Sequence, residues 1–297
     1  MPSGSTETST FHVKTVTSRE VAVFGSDFTS AEILSRSKAQ HLVRGHLSGT
    51  HLSISSHESF VTNESWIAAL PKDGPWVFGV DFPLGQPRAF CESLGIETYD
   101  ELIARASSMS PAEWKAAVKG FRGPNGKRRI GRLVDGKARA GHAMNVDNPP
   151  VGMMFHRGAP LLHCAGFSMP PVRSNLSDQV VVEAYPALVA AKAAPSRNAF
   201  KAVSYKGGKS AQRAAKQACR QVILDRLPQV CPDHYGLNIQ IAAEVHQAAL
   251  TDPHGDILDS VLAAIQAAWA ATQPGLGIPV DADPLEGWIC DPILITA

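Results

Sequence analysis

Three short runs of β-forming apolar residues each end in a carboxylate. Val21-Ala-Val-Phe24 leads through Gly25 and Ser26 to Asp27, Trp76-Val-Phe-Gly-Val80 leads to Asp81, and Val180-Val-Val182 leads to Glu183. Continuous apolar runs of this length are the pattern of strands buried on both faces, as neighbouring parallel strands are. Parallel strands share a direction, so their C-terminal ends lie along one sheet edge, where open α/β sheets bind ligands. In that arrangement the three acids converge. A single acid after a strand is commonly a turn former or a helix N-cap. The recurrence at three strand ends, not any one residue, points to a shared site.

The segments between these runs complete an α/β pattern. Gln40 to Leu47 and His51 to Ile54 alternate around Ser48-Gly49-Thr50, which predicts a hairpin. Asn63 to Leu70 carries Trp66, Ile67 and Leu70 at helical spacing and stops at Pro71, which supplies a crossover to the strand ending at Asp81. Helices are also expected over Tyr99 to Lys119, near 187–194 and 208–227, and over Ile257 to Ala271. In the last of these, Leu258, Val261, Leu262, Ile265 and Trp269 form one apolar stripe. Residues 1–17 read as a flexible tail, residues 18–297 as a single domain, and residues about 97–170 as an insertion within it.

The start of the last helix, His254-Gly-Asp256-Ile-Leu-Asp259, adds two acids on adjoining parts of one helical surface. Asp259 borders the apolar stripe and is drawn toward the sheet. Carboxylates packed together repel: two unit charges about 4 Å apart cost roughly 4 kcal/mol at an effective dielectric of about 20. Such a cluster needs protons or a cation. Mg2+ and Mn2+ favour oxygen ligands and are its natural counter-ions. A pair of them serves phosphodiester hydrolysis by activating water and stabilising the leaving oxygen. The candidate catalytic residues are thus Asp27, Asp81, Glu183, Asp256 and Asp259, with Asp27, Asp81, Glu183 and Asp259 as metal ligands.

From Lys119 to Arg139 there are eight Lys or Arg residues and one acid, Asp135. Lys and Arg neutralise backbone phosphates without reading sequence, so Arg88, Lys127, Arg128, Arg129 and Arg132 are candidates for holding a nucleic acid. Charge runs also serve as plain solvated surface. The net charge of +1 excludes an indiscriminate nucleic-acid coat but not a local patch. No apolar run is long enough to predict a membrane span. The five cysteines are scattered with no C-x-x-C pair, which fits reduced thiols in a cytoplasmic protein better than disulfides or a zinc site. Lys206-Gly-Gly-Lys209 lacks the spacing of a P-loop.

Several segments carry a family resemblance. Gly79-Val-Asp81-Phe-Pro-Leu-Gly-Gln-Pro-Arg88 resembles the I-D-x-P-L-G-x-P segment of the DUF429 family of predicted nucleases, and Glu183-Ala-Tyr-Pro186 resembles its E-x-Y-P segment. Asp256-Ile-Leu-Asp259-Ser260 is similar to its D-x-x-D-A helix with Ser260 in place of Ala, and Glu286-Gly-Trp-Ile289 to its closing E-G-W-I. Gly25-Ser-Asp27 stands where the family has its first-strand Asp. The resemblance implies a ribonuclease H-like α/β fold. This is a mixed five-stranded sheet, strands 1–3 antiparallel and strands 4–5 parallel to the first, flanked by helices, here with a basic insertion. It implies a Mg2+- or Mn2+-dependent hydrolase, a nuclease acting on DNA or RNA through two metal ions. Two other functions remain open. One is a phosphotransferase of the same superfold, although Phe28-Thr-Ser follows Asp27 where such enzymes need a glycine-rich phosphate loop. The other is a non-catalytic nucleic-acid-binding module.

Overall fold

The computed structural model describes residues 20–35, 37–197, 200–207 and 210–295. The expected tail over residues 1–17 lies outside them. The chain opens with β1 (Val21–Asp27) and the hairpin of β2 (Gln40–Ser48) and β3 (His51–Phe60), then α1 (Asn63–Ala68) and β4 (Trp76–Val80). A helical stretch follows: α2 (Arg88–Ser93), α3 (Tyr99–Ser108), α4 (Pro111–Gly120), α5 (Leu133–Ala138) and α6 (Val151–Cys164). The remainder comprises β5 (Gln179–Glu183), α7 (Pro186–Ala193), α8 (Arg213–Tyr235), β6 (Asn238–Ile241), α9 (Ala243–Thr251) and α10 (Asp256–Thr272).

The sheet is mixed and has six strands in the order β5-β4-β1-β2-β3-β6. β1, β2 and β3 form an antiparallel meander, whereas β4 runs parallel to β1 and β5 parallel to β4. The expected five strands are corrected to six by β6, a four-residue strand parallel to β3 at the far edge. Its Asn-Ile-Gln-Ile alternation is too short to rise above loop chemistry. The expected helix over Tyr99 to Lys119 is two helices. Ser110 ends the first by capping the second, accepting from the Glu113 N–H while the Glu113 carboxylate accepts from the Ser110 N–H at 2.8 Å. Pro111 sits at the first helical position, where its missing N–H costs nothing.

Strand residues alternate between two cores. Val23, Val77 and Val182 face a core closed by α7, α8, α9 and α10. Phe24, Phe78, Val80 and Val181 face an aromatic core closed by α1, α2, α3, α4 and α6. Leu102, Trp114 and Phe155, from the segment read as an insertion, are fully buried in this second core. Residues 97–170 therefore supply much of one layer of the sandwich. Among the described residues no helix is long and apolar enough to cross a membrane.

α10 is buried from Ile257 through Ala270, the condition of a central helix covered on all sides. It reaches the sheet over a cross-strand glycine pair, Gly25 of β1 opposite Gly79 of β4. A Cβ on Gly25 would lie 2.1 Å from the Ser260 carbonyl oxygen, and one on Gly79 would lie 2.3 Å from that of Ala263. The small residues Ala263, Ala264 and Ala267 complete the close contact. Gly25→Ala and Gly79→Ala should each lower unfolding free energy by about 3 kcal/mol or more, because the helix backbone itself is the obstacle. Gly136→Ala, in open space within α5, should be neutral or stabilising by about 0.5–1 kcal/mol. Urea titration of the three variants checks this contrast.

Candidate metal centre

The glycine contact sets the position of the acids. Four residues of helix and two residues of strand each advance the chain by about 6 Å. Asp256 precedes Ser260 by one turn, and Asp27 follows Gly25 by two residues, on the same face of β1. Asp259 and Asp81 stand in the same relation to Ala263 and Gly79. Seating Ser260 over Gly25 and Ala263 over Gly79 thus carries Asp256 toward Asp27 and Asp259 toward Asp81. The Asp27 N–H donates to the Ser260 Oγ at 2.9 Å, and the Asp81 N–H donates to the Ser26 carbonyl at 3.1 Å, which ties helix and both strand ends together.

One carboxylate oxygen from each of Asp27, Asp81 and Asp259 lies within 4.8 Å of the others. This trio can hold a metal ion. Its donors are all hard oxygens, with no histidine or cysteine in the group. Asp27 also hydrogen-bonds to the side chains of both Asp81 and Asp256. Burial, then the charge of Asp27, pushes the Asp81 carboxyl up to about 7. The same two causes, with Asp252 added, push Asp256 up to about 8. Near neutrality both carboxyls are therefore partly protonated. Asp256 does not cap its helix: the Asp252 carboxylate does so, accepting from the Ile257 N–H at 3.0 Å.

Two further residues complete the cluster, Tyr205 and the Lys206 of the segment that lacks P-loop spacing. The Tyr205 hydroxyl donates to Asp259 Oδ1 at 2.6 Å, and the Lys206 ammonium pairs with Asp259 Oδ2. Burial opposes the Lys206 charge, but Asp27, Asp81 and Asp256 outweigh it and raise its pKa. The only sequence signal for this pair is a lysine in a glycine-rich connection between two helices.

Glu183, expected among the metal ligands, is elsewhere. Its register partner is Val80, not Asp81, so its side chain leaves the sheet on the face opposite the trio. There it is 2% exposed and gripped by Arg132, with Nη1 to Oε2 at 2.7 Å and Nη2 to Oε1 at 2.5 Å. It also accepts the Leu84 N–H at 3.0 Å. Arg132, expected to hold phosphate, is likewise buried and also pairs with Asp135 at 2.8 Å. Desolvation works against its charge, and Glu183 and Asp135 overcome this and raise its pKa.

The remaining basic candidates are spread out. Arg88 is engaged by Asp283 through both Nε and Nη2. Arg129 pairs with Asp147 at 3.0 Å, an acid shared with Lys115 and Lys119. Lys127 and Arg128 are exposed. The closing Glu286 carboxylate accepts the Arg88 and Leu133 N–H groups, so it braces the loop after β4.

Comparison of the chain with family models, with curated proteins and with solved structures found no match.

The raised carboxyls have a consequence for stability. Both folded-state pKa values, about 7 and about 8, lie above the unfolded carboxylate value of about 3.9. The folded protein therefore binds these protons more tightly, and the stability they contribute is lost progressively as pH rises from about 4 through the folded values of about 7 and about 8, above which no more is lost. In chelator-treated protein, Asp81→Asn/Asp256→Asn should gain stability over the parent as pH rises from 5 to 8.5, by several kcal/mol. Denaturant melts at each pH measure the difference. A gap that stays constant would contradict the assignment.

Proposed function

We propose that this chain is a Mg2+- or Mn2+-dependent phosphodiesterase that cleaves nucleic acid, with a ribonuclease H-like fold. The observation that carries the reading is the convergence of Asp27, Asp81 and Asp259, from two strands and a helix, within 4.8 Å. An all-oxygen donor set suits these hard ions. The order of the DUF429-like segments along the chain supports it, as does the antiparallel meander with β4 and β5 parallel to β1.

Asp27, Asp81 and Asp259 are the ion ligands in this reading. A divalent ion there supplies charge neutralisation for a phosphoryl group and lowers the pKa of water. Asp27, hydrogen-bonded to acids on either side, is the shared carboxylate of the set. Asp256 holds a proton beside the ligands and can release it near neutral pH. Glu183 is a positioning residue: its bond to the Leu84 N–H and its Arg132 pair hold the loop that begins at Asp81. The exposed Lys127 and Arg128 are the residues for contacting backbone phosphates. Five free cysteines support a reducing, cytoplasmic setting.

The Lys206–Asp259 pair favours a second reading, a non-catalytic module whose acids are neutralised from within. Cleavage assays separate the two. Labelled single- and double-stranded DNA and RNA should be cut with Mg2+ or Mn2+ and not with chelator. Asp27→Asn, Asp81→Asn and Asp259→Asn should each lose more than about 100-fold, and Glu183→Gln about 10-fold. Absence of metal-dependent cleavage on all four substrates, or full activity in the Asp variants, would overturn the nuclease reading.

A further inference from the structure

Both oxygens of Asp259 are engaged: Oδ1 accepts the Tyr205 hydroxyl at 2.6 Å, and Oδ2 is paired with the Lys206 ammonium. An ion held by Asp27, Asp81 and Asp259 needs an Asp259 oxygen at about 2.0–2.2 Å, as Mg2+ and Mn2+ coordination requires. The ammonium and the ion would then sit against each other as like charges on one carboxylate.

The segment carrying Lys206 is pinned on both sides. The Tyr205 carbonyl accepts from Arg220 Nη1 at 2.8 Å, and Arg220 is itself buried and donates to the Leu250 carbonyl at 2.9 Å. On the other side the Gly207 N–H donates to the Pro253 carbonyl at 3.1 Å. Gly255 leaves room for the lysine stem, whose Cγ would lie 3.0 Å from a Cβ at that position. The backbone thus delivers the side chain to the acids. The stem is different: 42% of the side chain is exposed, against 2% for that of Asp259. Four rotatable bonds and an open side let the ammonium leave without moving the strap.

We infer that Lys206 is a tethered counter-ion, which occupies the cation position of the acidic cluster in the metal-free protein and is displaced when a divalent ion enters. This rests on the divalent-ion reading above. It adds that the site is kept compact by one internal positive charge until an external double charge replaces it. A lysine suits the role because its ammonium is a compact point charge, while an arginine fork would bind the carboxylate bidentately and release it less readily.

Mn2+ titration calorimetry on the full chain, at fixed pH and ionic strength, tests the inference. Lys206→Met keeps the stem and removes the competitor, so its Kd for Mn2+ should fall about tenfold or more relative to the parent. Parent binding with an unchanged or weakened Kd in Lys206→Met overturns the inference alone. No Mn2+ binding by either protein overturns the divalent-ion reading and the inference together. Binding by Lys206→Met only supports the inference. A second measurement needs no variant. Labelling of the parent with an amine-reactive ester, read at Lys206 by mass spectrometry, should rise several-fold on adding Mn2+. Labelling that is unchanged or reduced overturns the displacement.

Discussion

The arrangement depends on how closely α10 lies on the sheet. Two glycines side by side on β1 and β4 remove the Cβ atoms that would hold a helix away, and a helix of alanines and one serine lies against them. Helix packing normally keeps side-chain layers between backbones. Here the layer is missing on one side, and helix carbonyls sit where strand side chains would be. This contact sets the helix's position along the strands, and so which helical residues stand beside which strand ends. Asp256 and Asp259 reach Asp27 and Asp81 because the helix turn and the strand repeat advance at nearly the same rate from the glycine contact.

The protein packs together two groups of acids, one buried and one partly buried, and treats them differently. On one face, Glu183 and Asp135 share the Arg132 guanidinium, and the Leu84, Arg132 and Ala143 N–H groups donate to their carboxylates, although burial still raises the Glu183 pKa. That is how a buried charge is made tolerable. On the other face, Lys206 is the one cation ion-paired with the group Asp27, Asp81, Asp256 and Asp259 among the described residues, and burial together with the charge of Asp27 raises Asp81 and Asp256. The N-terminal end of α10 adds a favourable dipole to this second group without balancing it. Shifted carboxyls cluster at functional sites, and structural ion-pair networks shift them too. The compensated network serves the uncompensated one by fixing the loop that leads from Asp81.

Much of this is written in the sequence at the level of strand ends. The apolar runs before Asp27 and Asp81 and the stripe on α10 suffice to bring those elements together. Strand register is not written there. Glu183 follows an apolar run just as Asp81 does, yet it pairs with Val80, and that one-residue offset sends it to the opposite face. Arg132 likewise reads as part of a surface run, because its burial depends on a partner in a distant strand. The basic segment reads in the sequence as an addition to a finished core, whereas its flanking helices carry Trp114 and Phe155 into the aromatic layer. Tyr205 and Lys206 lie in a connection with no periodic pattern, so only the folded chain reveals them beside Asp259.

In the proposed reading, acids from β1, β4 and α10 form one cation site. Anomalous diffraction from a crystal soaked in Mn2+ tests it most directly. A peak is expected within about 2.0–2.4 Å of an oxygen from each of Asp27, Asp81 and Asp259, with the Lys206 ammonium moved away from Asp259. A peak bound by other residues, or no peak with the lysine still paired, would contradict it.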